Sequence, residues 1–283
     1  MKPRSKNLWI IALCAILCAG VFIMATQPAH AVRVSLKRIV FDGSKRSEIL
    51  TLINNTAKPQ TYRLGWRKYR MDTGKSLRAV KDGEDVSDIL WAEKMVRYAP
   101  RRVTVPPGGS QQIRLLFRRP ADLQEAEYRA HLWIVSETQP ESFTTDETSG
   151  KNQAVKLAVQ PAISLPIFVR NGDLKATSSI SDAKLTRSSG GLNAAFRLSR
   201  EGNRSIYGDF EFLCTDQGKE VVLHQLRGIA VYTETPYRDL DFDIPLNTQT
   251  AATCNTVKIL YRADPKDTDF AGSTLAQTTV SLQ

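Results

Sequence analysis

The chain has 283 residues and a formal net charge of +10, room for two domains of ordinary size. A basic excess suits acidic partners and equally a solvated basic face, so charge selects no function. Without the first 31 residues, which hold three basic side chains and no acidic one, 252 residues remain with a net charge of +7.

Those first residues carry Lys2, Arg4 and Lys6, an uncharged apolar run of 18 residues from Leu8 to Ala25, then Gln27-Pro28-Ala29-His30-Ala31. This is the layout of a secretory signal. The run also approaches the ~20 residues of a membrane span, so a retained anchor competes with cleavage. Small residues at Ala29 and Ala31, after the helix-breaking Pro28, favour cleavage after Ala31. Cys18 follows Ile16-Leu17 and lacks the small neighbour of a lipid-modified cysteine. Export argues against a nucleic-acid partner. Cys14 and Cys18 leave with the signal, and the remaining pair, Cys214 and Cys254, predicts one disulfide. Closing a loop of that length contributes about 3–4 kcal/mol on chain-entropy grounds.

After the signal the pattern is β throughout. Val34, Leu36 and Val40 share a parity with Arg38. Two explanations stay open: a buried arginine with a partner, or a bulge that switches parity so that Ile39 and Phe41 face inward. Ile49 to Ile53 reads as a short strand, followed by Asn54-Asn55-Thr56 and Lys58-Pro59 as a turn. Tyr62, Leu64 and Trp66 alternate with Arg63, Gly65 and Arg67, and Trp66 sits where sandwiches often bury a tryptophan. Residues 85–98 predict a short helix or irregular loop. Arg101 to Val105, the Pro106-Pro107-Gly108-Gly109 turn and the alternation Ile113, Leu115, Phe117 predict a hairpin. Tyr128 to Val135 is the next strand, and residues 136–153 lack periodicity and read as a mobile loop.

The following segment is unusual. Val155, Leu157, Val159, Pro161, Ile163, Leu165, Ile167 and Val169 occupy every odd position. As one strand it would span about 50 Å at ~3.3 Å per residue. Pro161 and Pro166 lack ladder donors, which confines such a strand to an edge or a bulge. Either it is an exposed edge that invites another chain, or it is a split strand buried in its own sheet. Asn171-Gly172-Asp173 ends it. Beyond lie seven expected strands, at 193–199, 206–215, 221–224, 228–235, 240–244, 256–261 and 275–282, enough for a second sandwich.

Chemical motifs are missing from this pattern. Besides His30 the chain holds only His131 and His224, and it contains no H-E-x-x-H, G-x-S-x-G, Walker-type or C-x-x-C motif. No enzyme, cofactor, metal site or small-molecule substrate is expected, and His131 reads as a packed sandwich histidine. Asn54-Asn55-Thr56 and Asn203-Arg204-Ser205 match the glycosylation acceptor pattern only weakly.

Several segments resemble the PapD-like periplasmic chaperones of the chaperone–usher pilus pathway. They are Arg38-Ile39-Val40-Phe41-Asp42-Gly43, Leu50-Thr51-Leu52-Ile53-Asn54-Asn55, residues 99–108 (APRRVTVPPG), Gln112-Ile113-Arg114-Leu115, residues 127–132 (EYRAHL) and residues 165–170 (LPIFVR). They follow family order over nearly all of 32–170. The second half is looser, with 200–205 (REGNRS) and 228–232 (GIAVY) as related pieces. The resemblance implies an all-β fold of two immunoglobulin-like β-sandwich domains in tandem with a cleft between them, at 32–170 and 171–283 after a signal at 1–31. It implies a periplasmic chaperone that stabilises pilus or surface-fibre subunits by donor-strand complementation and delivers them to an outer-membrane usher. Val155, Leu157 and Val159 would be the donated side chains, and Arg38 the anchor for the subunit's terminal carboxylate. A second basic anchor, a lysine elsewhere in the family, falls on Pro166, as in its non-classical branches; Arg170 or Arg129 are the candidate substitutes. The alternative is an exported adhesin or structural fibre subunit on the same sandwiches. Such a subunit would open with a short donor segment and hold one incomplete domain, unlike this chain.

Overall fold

The computed structural model describes residues 32–137, 160–188, 190–216, 219–245 and 254–282. The signal and the proposed donor residues Val155, Leu157 and Val159 lie outside them. In chain order the first half holds β1 (Val32–Val34), β2 (Ile39–Phe41), β3 (Ser47–Asn54), β4 (Gln60–Trp66), β5 (Tyr69–Met71), β6 (Leu77–Ala79), β7 (Val96–Ala99), β8 (Arg102–Val105), β9 (Ser110–Phe117), β10 (Ala126–Ser136) and β11 (Ala162–Asn171). The second holds β12 (Ala176–Ser188), β13 (Gly191–Gly202), β14 (Ile206–Asp216), β15 (Lys219–Val231), β16 (Tyr237–Pro245), β17 (Thr256–Ala263) and β18 (Thr274–Ser281). Among the described residues there is no helix. The protein is all-β, with two sandwiches in tandem.

In the first sandwich a four-stranded sheet, β1-β3-β9-β7, faces a five-stranded one, β2-β11-β10-β4-β8. The period-2 alternation sends Leu50, Leu52, Ile113 and Leu115 inward from one sheet. Leu64, Leu132, Ile167 and Val169 meet them from the other, all buried in one cluster. Trp66 is half-buried at its margin, edge-on to Tyr98 with ring centroids 5.1 Å apart.

One expectation changes here, and two open readings are decided. The Pro106–Gly109 turn does not close a hairpin: β8 pairs with β4, whereas β9 pairs with β3 and β7. The turn carries the chain from one sheet to the other, so Val105 and Ile113 enter the core from opposite sides. Gly108 takes a φ of +64°, which favours glycine there. The buried Asn54 amide secures the crossing by donating to Val105 O at 3.0 Å and Lys58 O at 2.8 Å, so it is committed to structure. Arg38 follows a change of sheet, since β1 pairs with β3 while β2 pairs in parallel with β11. That crossing, between Ser35 and Arg38, turns Ile39 and Phe41 into the core, and of the two open explanations Arg38 follows the first, a buried arginine with carboxylate partners. Of the two readings of 85–98 the irregular one holds: 85–95 are turns and coil, and 96–98 already belong to β7.

The second sandwich stacks β12-β13-β16 on β15-β14-β17-β18. Its core gathers Leu192, Phe196, Leu198, Phe210, Phe212, Ile259 and Tyr261. The Cys214–Cys254 disulfide is present and buried, tying β14 to the segment before β17. β12 was not among the expected strands; only Leu185 of its side chains is buried, so it shows no apolar alternation. The segments expected at 221–224 and 228–235 largely merge into β15, which spans bulges in its pairing with β14.

A third, small cluster joins the two sandwiches. Met71 and Phe168 from the first pack on Ala230 and Tyr232 of the second, flanked by Val40, Leu77 and Tyr207.

Candidate functional site

The cleft is lined by the outward face of β10 and β11. Their register sets Pro166 opposite His131, Phe168 opposite Arg129 and Arg170 opposite Glu127. Residues of the opposite parity, Leu165, Ile167, Ala130 and Leu132, fill the first core. Charge on this face is therefore a consequence of the same alternation.

Arg170 donates to Glu127 at 2.9 Å and reaches Asp267 of the second sandwich at 3.4 Å. Glu127 in turn accepts from the Ser205 amide at 3.0 Å and from its hydroxyl. Asp267 is gripped by Arg204 at 2.8 and 3.0 Å, and Arg204 is fully buried against the Phe270 ring. Burial pushes the Asp267 carboxyl up, but Arg170 and Arg204 outweigh it and hold the group at about 2.

Arg38 joins this cluster by longer contacts, 3.4 Å to Asp267 and 3.7 Å to Asp264. Its guanidinium lies 4.1 Å from the Tyr207 ring centroid. Nη1 is buried and has no hydrogen-bond partner. Stacking, more than short ion pairing, holds it in place.

Arg129 is differently placed. It makes two bonds of 2.8 Å to Glu234 and one of 2.9 Å to Tyr69 O, and stacks 4.1 Å from the Tyr232 ring centroid. His131, fully buried, sits 3.3 Å from the Ser164 hydroxyl between the Tyr69 and Tyr232 rings. Burial and the nearby Arg129 push it down to about 3, so at neutral pH it is an uncharged packing residue. Arg129, Arg170 and Arg204 are thus already paired with carboxylates, and the Ser164–His131 contact involves a ring that burial keeps neutral. Among the described residues no cluster of His, Cys, Asp or Glu could hold a metal ion.

The second feature is the edge of β11. On the side away from β10, β2 covers only Ile167 to Val169, and no described strand pairs there with Ala162 to Leu165. The Ser136 amide donates to Pro161 O at 3.1 Å, so odd residues of β11 bond towards β10 and even ones point to the open side. On that side Ala162 and Ser164 present amides and carbonyls that no described strand pairs, whereas the Pro166 carbonyl lies at the start of the β2 pairing. Of the long strand expected from Val155 to Val169, the described part starts at Ala162.

Asp267, Glu234 and Arg204 were not anticipated from sequence. They lie in turns or next to strand ends, where no period marks them. Glu127 carried a readable signal, since Glu127, Arg129 and His131 form a polar stripe on one face of an otherwise apolar strand.

No protein-family model and no curated protein matches the chain. Among solved structures it is similar to the CupB2 chaperone of Pseudomonas aeruginosa, at 13% identity over 89% of this chain and 100% of that one, with a TM-score of 0.40. It is also similar to the E. coli chaperone DraB, at 15% identity over 90% and 97% of the two chains, with a TM-score of 0.39. A third is the CsuC–CsuE chaperone–tip adhesion subunit pre-assembly complex of Acinetobacter baumannii, at 11% identity over 89% and 98%, with a TM-score of 0.43.

Proposed function

We propose that the protein is a periplasmic chaperone that captures pilus or surface-fibre subunits by lending them a strand, then hands them to an outer-membrane usher. The observation that carries this is the β11 edge: beyond β2, Ala162 and Ser164 present outward backbone groups that no described strand pairs. In sequence the apolar alternation continues upstream through Val155, Leu157 and Val159. A sandwich lacking one strand exposes a groove and an unpaired edge, which a strand with alternate apolar side chains completes. Arg38, with its unpartnered Nη1, suits the subunit's terminal carboxylate. Arg170 is the nearer candidate for the second anchor, because it shares Asp267 with Arg38.

The test is co-purification from periplasm with a tagged chain. A small single-sandwich subunit is expected in the eluate, and its absence from fibre-expressing cells sinks the proposal. Leu157→Asp with Val159→Asp should abolish capture; unchanged capture removes the donor role. Arg38→Ala should lower recovery by about tenfold or more while the fold persists, the loss expected for a charge-assisted bond.

A further inference from the structure

β15 is an edge strand: it pairs with β14, and no described strand lies on its other side. Its far end is occupied, since the Tyr261 hydroxyl donates to Ile229 O at 2.8 Å and Arg238 donates to Ala230 O at 3.0 Å. The stretch from Glu220 to Arg227 is different. Among the described residues five large apolar side chains are exposed, and of these only Val221 and Val222, at 40% and 52%, stand on an edge strand.

Two exposed valines in succession follow from a bulge. Val222 lies opposite Leu213 and His224 opposite Phe212, so Leu223 is an extra residue that reverses the alternation. Val221, His224 and Leu226 therefore lie on the core side, opposite Cys214, Phe212 and Phe210. Glu220, Val222 and Gln225 lie on the outer side, opposite Thr215, Leu213 and Glu211.

That reversal makes the edge complementary to itself. Turned about a two-fold axis between Leu223 and His224, Val222 meets Gln225 of a second copy, Val221 meets its Leu226, and Glu220 meets its Arg227. The members of each pair share a face, which strict alternation without the bulge forbids for this centre. The charges match at both ends. Glu220 makes one long contact, 3.3 Å to Lys258, and Arg227 reaches the Gln225 side chain at 2.8 Å and no described carboxylate. Neither a proline nor a charge interrupts the stretch from Val221 to Leu226, the usual means of keeping an edge from pairing.

We propose that β15 is the seam of a homodimer, in which the edges of two copies pair antiparallel and continue one sheet into the other. No residue of β11 or of the Asp267 cluster takes part, so each copy keeps its own edge and cleft. A single strand pair falls short of the ~1,200 Å² of a stable interface, so the dimer is weak: minor at about 10 µM and dominant at about 1 mM.

Sedimentation equilibrium of the exported chain across that range tests this, in a Leu157→Asp, Val159→Asp background that keeps the proposed donor segment from contributing. The mass should rise towards twice that of one chain. Glu220→Arg and Arg227→Glu, each alone, set like charges opposite one another twice and should lower the association constant by about tenfold. Combined, they should restore it to within about threefold of the parent. Val222→Lys places a charge in the seam and should also cost about tenfold. A chain monomeric throughout, a charge swap without rescue, or Val222→Lys that associates like the parent overturns the proposal. Glu220, Val222 and Arg227 are exposed, and an unchanged melting transition confirms that each variant folds. Should a charge variant fail to fold, Val222→Lys alone decides. No subunit enters the measurement, so its failure leaves the chaperone assignment standing.

Discussion

His131 illustrates how a residue with functional potential becomes structural. Full burial and the Arg129 charge hold it neutral, with its titration at about 3. Unfolded, the same imidazole takes up a proton near 6.5. Between those values the unfolded chain binds more protons than the folded one, so stability is lost as pH falls below about 6.5, by up to ~1.4 kcal/mol per unit. Urea denaturation at pH 7, 6 and 5 checks this: the slope should largely disappear in His131→Gln, and an unaltered slope would place its origin elsewhere. Asp267, held at about 2, acts lower. Its contribution is present above the ordinary carboxylate value near 4 and lost as pH falls towards 2. At this scale the sequence was only partly legible. The parity of Arg38 marked it as out of place, but its stacking on Tyr207 and its link to Asp267 join residues far apart in the chain, which spacing does not report.

Strands were legible where one face is buried and the other wet. β3, β4 and β9 follow from alternation alone, whereas β10 is buried on both faces. β12 did not, because partly and fully exposed side chains alternate along most of it and backbone pairing with β13 holds it. The Pro106–Gly109 turn was visible, but turn chemistry says only that the chain reverses, not which neighbour it then joins. The β11 edge yields a prediction of its own. In the free chain the Ala162 and Ser164 amides should exchange hydrogen quickly, whereas Ile163 and Leu165, bonded towards β10, exchange slowly. In a subunit complex Ala162 and Ser164 should gain about tenfold protection or more. Equal rates before and after capture would mean that the edge takes no strand. Pro166 limits how far such a strand can pair, because an acceptor laid opposite it finds no donor.

Across the whole molecule, two cores are joined by the small cluster around Phe168 and Tyr232. The disulfide lies wholly within the second core. Cys214→Ser with Cys254→Ser should therefore lower the second sandwich's unfolding transition by about 3–4 kcal/mol, the loop-closure contribution, and leave the first nearly in place. Calorimetry reads both, and an equal shift of the two would mean that they unfold as one unit. Two domains were legible from length and strand count, but their joint was not, since it is assembled from the β5–β6 hairpin and turn residues of both halves. The parallel pairing of β2 with β11 also bears on timing. Ile39 meets Ile167, a partner 128 positions later. During synthesis β2 emerges early and waits, its apolar face uncovered, until nearly the whole first sandwich has followed. Closure of that sheet is a late event, and slow folding is expected of contacts so distant in sequence.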